Sequence, residues 1–215
     1  MLEYHDKTGY IMSDAITVQQ PEQAQRLVLL FHGVGDSANG MAALGRYFAD
    51  ALADACVVSL NGPESTEWGA GRQWFSVQGV TEENRQARVD AAIPGFLSTV
   101  RHWQDKVGVD AAHTVLVGFS QGTIMSLEAL KANPRIAGTV IAFSGRFASL
   151  PESALTPAVV HFIHGEQDSV ILPVHAQAAA QRMHSLGSAH SLDMIAGVGH
   201  SIDGLMLQQA LGYLA

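Results

Sequence analysis

The chain has 215 residues, 47% of them hydrophobic and 15% charged, and a formal net charge of -8. That much apolar material can fill one large core and argues against intrinsic disorder, so a single α/β domain over residues 1–215 is expected. Twelve Lys and Arg without a basic cluster make nucleic acid and anionic membrane poor candidate partners, and no apolar run approaches the ~20 residues of a membrane span.

The chain opens Met1-Leu2-Glu3-Tyr4-His5-Asp6-Lys7, mixed and polar rather than leader-like, which predicts a cytoplasmic protein. Before Arg26 the pattern is weak and admits one or two antiparallel edge strands. Arg26–Phe31 is the first of six apolar runs of strand length; the others are Ala55–Leu60, 114–117, 138–143, 158–163 and 191–195. Nearly continuous apolarity marks strands covered on both faces, as in a parallel sheet. The lone Cys56 sits near the start of the second run; it excludes an intramolecular disulfide and a cysteine-based zinc site, and reads as a buried structural thiol.

Helical spacing fills the intervals. Residues 39–53 carry Leu44, Phe48 and Leu52 four apart. Residues 81–107 begin Thr-Glu-Glu-Asn, an N-terminal signal, and contain Pro94, which predicts a kink or a break. Further helices are expected over 123–131, over 173–186 with Pro at a favoured first-turn position, and over 201–214. Strands alternating with helices predict an open, right-handed, doubly wound sheet. No repeat, low-complexity tract or linker divides it.

The run at 114–117 ends in Gly118-Phe119-Ser120-Gln121-Gly122 and leads directly into a helix. Gly-x-Ser-x-Gly between a strand and a helix is the context of a nucleophile elbow, where a serine hydroxyl is presented at the top of a sheet. Serine needs a base to take its proton and a carboxylate to orient that base. Loops beyond the carboxyl ends of later strands are where these can sit. His164-Gly165-Glu166-Gln167-Asp168 and Ala196-Gly197-Val198-Gly199-His200 occupy those places. The order Ser120, Asp168, His200 is that of an α/β-hydrolase triad.

Ten histidines are present. His102, His175 and His184 lie in helical segments and read as solvated. His161 and His164 are three apart on a strand, which sends the rings to opposite faces and disfavours shared metal ligation. Glu166 rivals Asp168 for the acid; Asp193 lies inside a strand. The glycine-rich His32-Gly33-Val34-Gly35-Asp36 follows the first run and lacks the spacing of a dinucleotide or P-loop motif. The backbone N–H groups of Val34 and Gln121 are the expected oxyanion donors, and His32 is expected to be bonded to the loop backbone.

Leu-Phe-His-Gly-Val-Gly-Asp at 30–36, Gly-Phe-Ser-Gln-Gly at 118–122, His-Gly-Glu-Gln-Asp at 164–168 and Gly-His at 199–200 together resemble the carboxylesterase/phospholipase family of α/β-hydrolases. Its members include small bacterial carboxylesterases and acyl-protein thioesterases. Arg72-Gln73-Trp74-Phe75-Ser76, followed by Asn84-Arg85-Gln86, is most similar to the bacterial esterases. Acyl-protein thioesterases usually carry Asp directly after Trp-Phe, where this chain has Ser76.

The resemblance implies a sheet of about seven strands with helices on both faces and no large lid domain. It also implies a Trp-Phe segment helping to line the acyl or alcohol pocket. The interval 61–80 is the expected cover, and Trp68, Trp74 and Phe75 on it are either an apolar wall of the substrate pocket or ordinary core and hinge aromatics. The expected activity is hydrolysis of carboxylic esters with short to medium acyl chains, without cofactor or metal, by a monomer or homodimer. Its alternatives are thioester hydrolysis, on acyl-CoA or S-acylated protein, and an inactive binding module on a hydrolase fold.

Overall fold

In a computed structural model, described over residues 15–215, the strands and helices alternate much as the apolar runs demand. The strands are β1 (Ala15–Gln19), β2 (Arg26–Phe31), β3 (Ala55–Leu60), a two-residue pair β4 (Glu64–Ser65) and β5 (Arg72–Gln73), β6 (Thr114–Phe119), β7 (Thr139–Phe143), β8 (Val159–Gly165) and β9 (His190–Ile195). The helices are α1 (Ala38–Ala51), α2 (Glu82–Val107), α3 (Gln121–Ala132), α4 (Val174–Ser185) and α5 (Gly204–Gly212).

Seven of these strands form one sheet in the order β1-β3-β2-β6-β7-β8-β9. β1 runs antiparallel to β3 at one edge, and the remaining pairings are parallel. One antiparallel edge strand is therefore present; any expectation for the chain before residue 15 lies outside the described residues. Along β2, Leu27, Leu29 and Phe31 face one side with Phe96, Leu127 and Met183 in the same cluster. Val28 and Leu30 face the other side, with Phe48 and Met206. Both faces are thus sealed, by α2, α3 and α4 on one side and by α1 and α5 on the other, and so the strands read as continuous apolar runs. Cys56 is fully buried on the first face.

The long helix α2 is not broken at Pro94. A proline ring removes one hydrogen bond, to the carbonyl of Asp90, but both residues are on the exposed face, where water can satisfy that carbonyl. Val89, Ile93, Phe96 and Val100 hold the opposite face in the core. The N-terminus of α2 has a full capping box, with the Thr81 side chain accepting from the Asn84 N–H and the Asn84 side chain accepting from the Thr81 N–H. The last helix begins later than its apolar spacing suggests, because the Asp203 carboxylate caps it by accepting from the Met206 N–H at 2.9 Å. All the parallel strands end at one edge of the sheet, and the loops there build the site.

Candidate active site

Strand β6 runs two residues further than its apolar core, through Gly118 and Phe119, which still pair with Phe31 and Phe143. The chain then reverses at Ser120, with φ 52° and ψ -113°, and enters α3. A serine held in this region is strained, and it is sustained here by surroundings that leave no alternative. A Cβ at Gly122 would lie 2.0 Å from the Phe31 carbonyl oxygen, and one at Gly118 would lie 2.5 Å from the Thr123 backbone. Only glycine on both sides lets the turn sit this close to β2 and α3.

Ser120 Oγ lies 2.9 Å from His200 Nε2, and His200 Nδ1 lies 2.8 Å from Asp168 Oδ2. Three loops, after β6, β8 and β9, meet to make this line. The β8 and β9 loops are bound together: Glu166 N–H donates to the Ile195 carbonyl and Gln167 N–H to that of Val198, each at 2.9 Å. The Phe119 ring lies against the His200 imidazole, 5.0 Å between centroids.

Asp168 is buried, and its Oδ1 accepts the N–H groups of Val170 and Ile171, both at 2.9 Å. Burial pushes its carboxyl up, but bonds from the His200 ring and the Ile171 and Val170 amides outweigh this and hold it below the ordinary carboxylate range. An ionised carboxylate only accepts, so the His200 proton sits on Nδ1 and Nε2 is left bare toward the serine hydroxyl.

The other candidates lie elsewhere. Glu166 is exposed. Asp193 accepts the Tyr213 hydroxyl at 2.7 Å. His161 bonds Ser191 Oγ and stacks on Tyr213. His175 Nε2 meets Arg146 Nη1 at 3.2 Å, and His184 is exposed on α4. His164, read from the sequence against a metal role, has a buried ring that touches Asp168, with Nε2 2.8 Å from the Ile171 carbonyl and 3.3 Å from Asp168 Oδ2. Burial pushes its pKa down, so it is neutral there. A His four residues before the acid on a strand-to-loop exit is the signal that could have found it. Among the described residues, no cluster of His, Cys, Asp or Glu has the makings of a metal site.

Gly33 lies against Ser120: a Cβ there would be 3.2 Å from that of the serine. His32 is buried, donating from Nδ1 to the Gly33 carbonyl at 2.7 Å and accepting the Gly62 N–H on Nε2 at 2.9 Å. Burial pushes its pKa down against the pull of that carbonyl. Gln121 is the first residue of α3, so its N–H belongs to a helix N-terminus and has no intrahelical acceptor.

The three aromatics at 68–75 do not form one wall. Trp74 and Phe75 are buried in the core, Trp74 packing edge-on against Phe31 and Phe96 at 5.3 and 5.6 Å between centroids. Trp68 is 62% exposed. Trp74 has the shape to fill the gap between β2 and α2, whereas the β4–β5 hairpin carries Trp68 out beyond that gap.

Comparison with known proteins agrees with this architecture. The model of the phospholipase/carboxylesterase family matches residues 12–215. The chain belongs to that family. This phospholipase/carboxylesterase-family chain is 53% identical over 202 residues to "Esterase YpfH" of Escherichia coli (strain K12), covering 94% of this chain and 87% of the relative. It is 29% identical over 176 residues to "Acyl-protein thioesterase 1" of Kluyveromyces lactis, covering 74% and 76%. Among solved structures, esterase PE8 superposes with a TM-score of 0.83 at 28% identity, covering 94% of this chain and 97% of that one. The fold is that of the α/β-hydrolases.

Proposed function

We propose that this esterase of the phospholipase/carboxylesterase family hydrolyses carboxylic esters of short to medium acyl chains by a two-step acyl transfer, as a single hydrolase domain. The observation that carries the reading is the unbroken Ser120–His200–Asp168 line, at 2.9 and 2.8 Å. Ser120 Oγ attacks the ester carbonyl carbon while His200 Nε2 takes its proton, and Asp168 stabilises the imidazolium. The oxyanion is held by the N–H groups of Val34 and Gln121. Collapse breaks the bond to the alcohol oxygen, which receives the proton from His200. A water then gives its proton to Nε2 as it attacks the acyl-enzyme carbonyl; collapse breaks the bond to Ser120 Oγ, which takes that proton back from His200 as the acid leaves.

Exposed apolar side chains on the segments that follow β2 and β8, the last of them at the start of α4, favour an apolar acyl group. Val34, Val170, Leu172 and Val174 are 36%, 67%, 52% and 55% exposed. In this reading the buried Trp74 and Phe75 support the acyl site from the core, and the exposed Trp68 lies at its rim. The single free thiol, buried at Cys56, suits a cytoplasmic setting.

A series of p-nitrophenyl esters from acetate to palmitate, assayed with the parent and Ser120→Ala, tests the reading. The expected result is a loss of about 10⁶-fold in kcat in the variant, the scale seen when a serine nucleophile is removed, with a short- to medium-chain optimum in the parent. Equal rates in the two proteins overturn it. The thioesterase relative gives a second reading, thioester hydrolysis, which matched oxygen and sulfur esters of one acyl chain separate from the first. Failure of a fluorophosphonate to label Ser120 in folded protein favours an inactive binding module.

A further inference from the structure

The side chain of Gln121 makes contacts that the acyl-transfer reading does not use. It is 3% exposed. Its Oε1 accepts the Trp74 N–H at 2.8 Å, and its Nε2 donates to the Phe75 carbonyl at 2.8 Å. The carboxamide thus offers this segment the donor and acceptor that a neighbouring strand would offer. Both bonds are buried, where loss of either leaves a backbone group without a partner.

The segment held in this way is itself bonded to the loop that carries Val34, on both sides of that residue. Trp74 Nε1–H donates to the His32 carbonyl at 2.9 Å. Gly35 N–H donates to the Arg72 carbonyl at 2.9 Å, and Arg72 N–H donates to the Asp36 carbonyl at 2.8 Å. The two backbones are in direct contact, since a Cβ at Gly71 would lie 2.2 Å from the Gly35 carbonyl oxygen. From the Gln121 carboxamide, hydrogen bonds therefore reach His32 and Gly35, on either side of Gly33 and Val34.

We propose that the Gln121 side chain is the positioning residue of the oxyanion hole: its carboxamide sets the place of the loop whose Val34 N–H is one donor, while its own backbone supplies the other. One residue thereby fixes the separation of the two donors. This rests on the acyl-transfer reading above. A purely structural role for the carboxamide predicts lower stability with unchanged turnover by the folded protein, whereas positioning predicts slower turnover with little change in KM.

The test uses the full chain with Gln121→Met, Gln121→Glu and Ser120→Ala, assayed on p-nitrophenyl butyrate across pH below the melting temperature of each. Misplacement of a donor by about 1 Å costs up to about 10²-fold, so Gln121→Met should lose roughly 10- to 100-fold in kcat. KM should stay within about threefold of the parent's. Gln121→Glu adds a signature that general loosening does not give. A neutral carboxylic acid keeps one acceptor and one donor, while the carboxylate presents oxygen to the Phe75 carbonyl. Burial raises the pKa of such a carboxyl. The kcat ratio of Gln121→Glu to the parent should therefore rise as pH falls, while the ratio for Gln121→Met stays flat.

A Gln121→Met enzyme within about threefold of the parent in kcat, with Ser120→Ala inactive, overturns the positioning role and leaves the acyl-transfer reading standing. If Ser120→Ala retains parental turnover, the acyl-transfer reading fails and this proposal fails with it. Should Gln121→Met not fold, the Gln121→Glu ratio decides: a rise on acidification supports positioning and a flat ratio refutes it.

Discussion

Replacing Asp168 by Asn isolates the part that the carboxylate plays in setting the His200 tautomer, because the surroundings dictate how the new amide must sit. Oδ1 receives two backbone N–H groups, from Val170 and Ile171 at 2.9 Å each. An Asn placed there keeps its carbonyl oxygen at that position, since turning it over would set its NH₂ against two donors. Each buried donor left unpaired costs roughly 1–3 kcal/mol, so the preferred orientation is worth about 2–6 kcal/mol. The NH₂ then occupies the position of Oδ2, 2.8 Å from His200 Nδ1. Two donors cannot share that contact, so the imidazole moves its proton to Nε2 and points it at Ser120 Oγ. The base is lost without any change in packing. A serine protease with the same substitution loses about 10⁴-fold in kcat, which at 1.36 kcal/mol per decade is about 5 kcal/mol of the barrier. The assay is kcat on p-nitrophenyl butyrate, with a melting curve to show that the fold is kept and ¹⁵N imidazole shifts to report the tautomer. A folded Asp168→Asn protein that loses less than about tenfold would refute the argument that this carboxylate fixes the base.

Two further outcomes follow from the geometry. Gly122→Ala puts a Cβ 2.0 Å from the Phe31 carbonyl oxygen, whereas Gly204→Ala, at the start of α5, meets nothing within 4 Å. Denaturant unfolding should show the first destabilised by more than about 3 kcal/mol, or not folding at all, and the second within about 0.5 kcal/mol of the parent; equal midpoints would refute the close approach of β2 and α3. Stability should also fall with acidification before carboxylates titrate. Burial holds the His32 and His164 pKa values below the ordinary 6.5, so below that pH the unfolded chain binds more protons than the folded one. Each then removes up to about 1.4 kcal/mol per pH unit until its folded value is reached. A melting temperature that stays flat as pH is lowered from about 7 to about 5.5 would contradict the buried, neutral state of both rings.

Most of the fold was legible because a parallel sheet covered on both faces writes itself as apolar runs. The bounds of β2 and β3 are those of the runs themselves. Where the reading fell short, a local signal competed with a tertiary one. Gly118 reads as the start of a turn, yet it continues β6 because Phe31 lies beside it in register. Pro94 reads as a kink or a break, yet the apolar face on both sides of it keeps α2 one continuous helix. The pair β4–β5 is two residues on each side, too short for any periodicity, and is fixed by pairing of Glu64 with Gln73 and Ser65 with Arg72. It is this hairpin that leads Trp68 outward and Trp74 inward, a distinction that side-chain chemistry alone does not contain.

The candidate triad was legible for a different reason: in a doubly wound sheet chain order maps onto position, so loops after successive strands must arrive at one edge. Ser120 and His200 are 80 residues apart and Asp168 and His200 are 32 apart, yet the topology alone brings them there. What topology does not specify is which side chains close the remaining hydrogen bonds. The Gln121 carboxamide meets backbone groups 46 and 47 residues away, and backbone groups carry no mark in the sequence. The Gly-x-Ser-x-Gly pattern treats that position as free, since any residue supplies the backbone N–H that an oxyanion hole needs. The carboxamide is demanded by the neighbouring strap, whose buried Trp74 N–H and Phe75 carbonyl take it as their partner. The identity of the residue after Ser120 thus follows from the loop that covers it, and a chain with a different strap at 66–75 has no physical reason to keep Gln there.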